Sequence, residues 1–156
     1  MAEGQAVSET IRFECPLPPR GLRRNSLALR RDSQKQTHGI RAKLAREYQE
    51  QVWCAGHMVG PSSLGHLTVA LPGFWQDDLP WERAALLLTW RHAGVAPDED
   101  NALASLKPLI DVLHSRGARP LSLVVDDSPA HLSIRCVTEK VRSRKEEGVV
   151  VELTRL

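Results

Sequence analysis

The pattern of apolar and polar positions changes its period several times along the chain. Ile11-Arg12-Phe13-Glu14-Cys15 alternates as a half-buried strand does, until Pro16, Pro18 and Pro19 remove the amide donors a ladder needs. Residues 1–10 are small and polar and read as a disordered tail, and from Arg20 to about His38 no period survives, which reads as a basic loop over about 20–39. Ile40, Leu44, Tyr48 and Val52 then recur every four residues with charged residues between them, predicting an amphipathic helix that ends near Gly56. The stretch 60–81 carries Pro61, Gly65, Pro72, Gly73 and Pro80 and reads mostly as loop, with a short edge strand at 67–71.

Beyond it, the apolar run 84–90 predicts a central strand buried on both faces. Leu103, Leu106, Ile110 and Leu113 mark a second amphipathic helix, in which Pro108 either forms a kink or sits in a first turn capped by Ser105. A strand at 121–125 ends in Asp126-Asp127, residues 131–141 alternate with Leu132, Ile134 and Cys136 on one face, and 149–153 returns antiparallel after a charged turn. The order predicts one α+β domain over 11–156, a mixed β-sheet with two amphipathic helices packed against it.

Composition narrows the class. The chain has 156 residues, 42% hydrophobic and 26% charged, which suits one ordinary globular core rather than a disordered or fibrous chain. No run nears the roughly 18 apolar residues of a transmembrane span, and no apolar leader opens the chain, so a cytoplasmic protein is expected. Cys15, Cys54 and Cys136 are odd in number and far apart, as free thiols of a reducing compartment would be. Cys54 and His57 make one C-x-x-H pair, but a zinc site needs about four ligands and no second pair follows.

Charge is unevenly placed. Residues 20–46 hold nine Lys or Arg against the single acid Asp32, a net of +8, which leaves −6 for the remainder of a chain whose overall charge is +2. Such a block is either a solvated segment or an arm that meets polyanions. Arg20, Arg23, Arg24, Arg30, Arg31, Lys35, Arg41 and Lys43 are the candidate contacts to DNA phosphates.

The acids carry the candidate chemistry. Pro97-Asp98-Glu99-Asp100-Asn101 follows a predicted strand and opens a helix, while Asp126-Asp127 ends the next strand, so both clusters are expected at the same sheet edge. Carboxylates converging there would require a cation between them, and oxygen ligands suit magnesium or manganese. The alternative is structural, since acids favour a helix first turn and turns favour Asp. An EF-hand loop is excluded, because its fifth position needs an oxygen and its sixth a glycine, where this chain has Ala102 and Leu103. Asp77-Asp78 read as loop acids.

Asp98-Glu99-Asp100-Asn101, then Leu106-Lys107-Pro108-Leu109-Ile110-Asp111-Val112-Leu113, then Val125-Asp126-Asp127-Ser128-Pro129, resemble the D-x-D-N, K-x-x-x-D-x-L and D-D motifs of RusA-type Holliday junction resolvases, often carried by phages and prophages. The resemblance spans about 84–156; the N-terminal half is similar only through Leu17-Pro18-Pro19, the basic loop and one helix. It implies a RusA-like fold, magnesium- or manganese-dependent hydrolysis of phosphodiesters at branched DNA such as a four-way junction, a homodimer, and no small-molecule cofactor. By position it implies Asp98, Asp100 and Asp127 as metal ligands and catalytic residues, with Lys107 as a lysine of catalysis or junction contact. Lys107 follows Asn101 by six residues, whereas three is the spacing in the shorter form of the motif, and Lys107 with Asp111 also reads as a surface pair one helical turn apart. Asp126 is left to anchor the turn and Asn101 to orient the loop. The rival reading is a non-catalytic nucleic-acid-binding phage or prophage protein whose acids cap helices.

Overall fold

A computed structural model describes residues 9–23, 34–57, 79–114 and 121–156. Of the tail expected at 1–10, residues 1–8 lie outside the described residues, whereas Thr10 is the first residue of a strand; Arg24, Arg30, Arg31, the strand expected at 67–71, most of the loop expected at 60–81 with Asp77-Asp78, and the side chains of Lys35 and His57 also lie outside.

Four strands and three helices are described: β1 (Thr10–Cys15), α1 (Gln34–His57), β2 (Ala84–His92), α2 (Glu99–Ser105), α3 (Lys107–Leu113), β3 (Leu132–Lys140) and β4 (Gly148–Arg155), with short 3-10 turns at Arg20–Leu22 and Arg144–Glu146. The strands form one mixed sheet in the order β1-β4-β2-β3, where β2 and β3 run parallel and β4 is antiparallel to both β2 and β1. This is an α+β architecture. The expected second helix is divided in two, so three helices rather than two accompany the sheet.

The division has a local cause. Pro108 lies in the first turn of α3, where its missing amide would have had no partner, and Leu106 closes α2 by donating to the carbonyls of Ala102 and Leu103. Leu106 also occupies the capping position of α3. Ser105, expected there, instead donates its hydroxyl to the Asn101 carbonyl at 2.7 Å.

Register puts one apolar face on the helices. Ile11, Phe13 and Cys15 of β1 stand beside Leu153, Val151 and Val149 of β4, which stand beside Leu86, Leu88 and Trp90 of β2. All are buried. The opposite face of β2 is only half-buried at Ala85, Leu87 and Thr89, so the strand alternates and is not buried on both faces as the continuous apolar run suggested. That open face is laced by ion pairs, Arg12 with Glu152 and Arg91 with Glu14 and Glu139.

β4 returns antiparallel to β3 in direction but does not pair with it; it crosses to the far side of β2. Val149, Val150 and Val151 are all buried, and a strand that apolar gains most from an interior place, whereas β3, with Arg135, Glu139 and Lys140 exposed, tolerates the sheet edge.

α1 begins six residues before its expected start and covers β1 and α3 through Leu44, Ala45, Tyr48 and Val52. Ile40, taken as the first residue of the stripe, is 46% exposed and takes no part in it. The Tyr48 hydroxyl donates to the Pro16 carbonyl at 2.9 Å, tying the helix to the end of β1. No helix among the described residues is long and apolar enough to cross a membrane.

Candidate functional site

Lys107, Asp111 and His114 recur at i, i+4 and i+7 along α3 and its C-terminal end, so they share one stripe of the helix surface. What faces that stripe is fixed by the segment after α3. Leu121 and Leu123 donate their amides to the carbonyls of Val112 and Leu113, and from the other side Trp81 donates its amide to the Leu123 carbonyl and accepts from the Val125 amide. The segment was expected to be a strand at 121–125; it makes only isolated bridges, at Val124, because Ser122 has φ 54° and that left-handed step breaks an extended backbone. Beyond it, the Asp126 carboxylate accepts from the Asp127 amide at 2.9 Å, anchoring the turn as anticipated.

Asp127 is thereby carried onto the α3 stripe. One ligand atom from each of Asp111, His114 and Asp127 lies within 4.8 Å of the others. Lys107 Nζ donates to Asp127 Oδ2 and, at 2.8 Å, pairs with Asp111 Oδ1, while His114 Nε2 stands 3.7 Å from the same Asp111 oxygen. His114 is buried; Lys107 is exposed and the two acids are half-buried.

The electrostatics follow from these contacts. The hydrogen bond from Lys107 chiefly holds the Asp127 carboxyl below its ordinary range, against the opposing effect of burial. Burial pulls the Lys107 ammonium down, but hydrogen bonds to Asp111 and Asp127 outweigh it and leave the group raised, so it is firmly charged at neutral pH. Lys107 is thus the resident cation between two carboxylates. Two carboxylates and an imidazole fit a divalent ion; oxygen donors alone would suit magnesium, and one nitrogen ligand moves the preference toward manganese or zinc.

Asp98 and Asp100 are not part of this group. Asp98 caps α2: one carboxylate oxygen accepts the Asn101 amide at 2.8 Å and the other accepts Asn101 Nδ2 at 2.9 Å. Asp100 and Glu99 are exposed in the first turn of α2. Topology explains the separation. Because β2 and β3 are parallel, the loop leaving β2 and the loop entering β3 stand at opposite ends of the sheet, and α2 with α3 makes the return journey. The expectation that both acidic clusters meet at one sheet edge took 121–125 as a strand of the sheet; instead Val124 only bridges Trp81 and His114, ahead of β2, so Asp127 stands at the entry end of β2 and β3. Of the residues named from sequence, the structure brings together Lys107 and Asp127, and it pairs Lys107 with Asp111 one helical turn away, as that spacing allowed.

Asp111 as a facing carboxylate and His114 altogether escaped the sequence reading. The spacing of Lys107, Asp111 and His114 was a visible signal, but the arrival of Asp127 opposite them depends on tertiary structure. Among the basic residues, Arg20 opens a 3-10 turn, and Arg23 donates Nε to the Pro18 carbonyl at 3.0 Å. Arg41 is half-buried on α1, and the exposed Lys43 approaches Glu47 at 4.0 Å. Cys54 is an exposed free thiol. No family model matches the chain, and neither the curated proteins nor the solved structures compared with it give a match.

Proposed function

We propose that the chain is a divalent-metal-dependent endodeoxyribonuclease that hydrolyses phosphodiesters at branched DNA, a four-way junction above all, with its metal centre on Asp111, His114 and Asp127. The observation that carries this reading is the convergence of those three donors with Lys107 on α3. The order of the D-x-D-N, K-x-x-x-D-x-L and D-D motifs, similar to the RusA-type resolvases, supports it from the sequence side. The magnesium expected from oxygen ligands alone gives way to manganese as the better fit, given the imidazole.

A bound divalent ion would supply Lewis-acid stabilisation of a phosphodiester oxygen and an activated water. The chain's own residues do the rest. Asp127, held ionised by Lys107, keeps its full charge for ligation at neutral pH, and His114, buried with Nε2 3.7 Å from Asp111, would offer the third donor. Lys107 has its ammonium exposed and can meet the non-bridging oxygen of a phosphate brought against α3. The basic segment from Arg20 to Arg46 contributes phosphate contacts that fix position without reading sequence. Symmetric cleavage of a four-way junction needs two copies of the site, so the active species is a homodimer.

The test is cleavage of an end-labelled four-way junction and of plain duplex by the full chain, with manganese, with magnesium and with chelator. Paired nicks at the branch that require the metal are expected; no cleavage of either substrate in any metal refutes the proposal. One observation favours a second reading, a non-catalytic nucleic-acid-binding protein: Asp98 is fully used as a cap, and Lys107 already neutralises Asp127 without any metal. Such a protein would bind the junction equally well in chelator.

A further inference from the structure

At the opposite end of β2 from the Asp127 cluster, a cavity of about 460 Å³ opens between the 3-10 turn at Arg20–Leu22 and the loop joining β2 to α2. Three guanidinium groups line it, those of Arg20, Arg23 and Arg144, contributed by two segments more than a hundred residues apart. None of the three has a carboxylate within 4.0 Å among the described residues. The single acid in the lining, Glu147, accepts the Ala93 amide at 3.1 Å. With three arginines against that one glutamate, the lining carries an excess of two positive charges.

One of the guanidinium groups is preorganised. Arg23 spends Nε on the Pro18 carbonyl and lies 5.6 Å from the centroid of the buried Trp90 ring, which leaves its two terminal nitrogens for a ligand. The turn that carries it is seated on α1, where a Cβ at Gly21 would meet the tip of Leu44 at Cδ1, which would have to shift. Burial chiefly works against the charge on Arg23, Glu147 partly offsets it and Arg20 adds to it.

The rest of the lining is mixed: His92, Asn101 and Ser105 are polar, while Leu17, the buried Trp90 and Val95, fully exposed at 99%, form with Ala96 and Pro97 an apolar part. The volume lies in the range of small-molecule sites, roughly 300–1,000 Å³, and far exceeds a bare phosphate. Positive forks beside apolar surface are what a nucleotide needs, phosphate on the one and base with sugar on the other. We propose that this cleft is a nucleotide-phosphate site, with Arg20, Arg23 and Arg144 on the phosphate and the Leu17, Val95 and Pro97 surfaces against the sugar and base. It is separate from the proposed metal centre and does not depend on it.

Isothermal titration of the full chain with deoxyadenosine monophosphate, deoxyadenosine and inorganic phosphate tests the site. The nucleotide should bind most tightly and the nucleoside should give no measurable heat. Arg144→Ala and Arg20→Ala should each weaken the nucleotide about tenfold, as the loss of one charge-assisted contact does. Arg91→Ala, an arginine of the open sheet face, should change nothing. The source of the phosphate is read by competition: displacement of a labelled single-stranded oligonucleotide by the mononucleotide assigns the cleft to a DNA strand, and no displacement assigns it to a free nucleotide. Binding should persist in chelator and in Asp127→Asn, so failure of the nuclease proposal leaves this one standing. A nucleotide that binds no better than the nucleoside, or that binds both arginine variants as it binds the parent, overturns it.

Discussion

Replacing Asp98 separates a helix cap from a metal ligand. In Asp98→Ala both hydrogen bonds to Asn101 disappear, one to its backbone amide at 2.8 Å and one to its side-chain amide at 2.9 Å. Loss of an N-cap side chain costs typically about 1 kcal/mol. The second bond is exposed and water replaces it, adding a few tenths, so about 1–1.5 kcal/mol is expected in all. For a chain of this length each kcal/mol moves the melting temperature by roughly 2–4 °C, which predicts a fall of about 2–6 °C. Asparagine caps about as well as aspartate, so Asp98→Asn should stay within about 0.5 kcal/mol of the parent, the remainder being lost attraction to the helix dipole. Thermal unfolding of the three proteins, with and without manganese, reads both effects. If Asp98→Ala melts with the parent, the capping argument is wrong; if Asp98→Asn loses stability only when manganese is present, Asp98 is a ligand and the centre has been misplaced.

Other expectations follow from particular contacts. Lys107→Met removes the ammonium that competes for two carboxylates, each worth about 1.4 kcal/mol at roughly 3 Å even in water-like surroundings, so manganese should bind at least about tenfold more tightly by calorimetry. Unchanged affinity would mean that the ion does not share the lysine's place. Tyr48→Phe deletes the bond to the Pro16 carbonyl and should cost about 1 kcal/mol in chemical denaturation, with no loss if that bond is only incidental. Burial pushes the Cys15 thiol up to about 12 and that of Cys136 up to about 11, so neither forms appreciable thiolate at pH 8. A disulfide reagent at that pH should therefore titrate the exposed Cys54 rapidly and the other two only on unfolding; three equally fast thiols would contradict the packing.

Local pattern carried the elements, and tertiary pairing carried the site. β1 was legible because Ile11, Phe13 and Cys15 alternate with polar residues, and α1 because Leu44, Tyr48 and Val52 repeat at the helical step. The sheet order was not legible, since nothing local says that β4 should cross β2 to reach β1 instead of pairing with β3. That order decides the chemistry. A parallel β2-β3 pair sends Asp98 and Asp127 to opposite ends of the sheet, whatever motif they share in sequence. The left-handed Ser122 then turns the chain so that Asp127 meets Lys107, Asp111 and His114. Asp98 itself was readable either way, because a carboxylate before a helix is both a good cap and a good ligand.

The most direct measurement of the central claim is the rate at which single carboxylate variants cut a four-way junction in saturating manganese. Asp111→Asn and Asp127→Asn should lose about a hundredfold or more, since even the partners that orient metal ligands are commonly worth about 10- to 100-fold. Asp98→Asn, whose asparagine still caps α2, should cut within about threefold of the parent, as expected for a change that keeps the cap. The opposite result, near-parental cutting by Asp111→Asn together with loss in Asp98→Asn, would contradict a metal centre on α3.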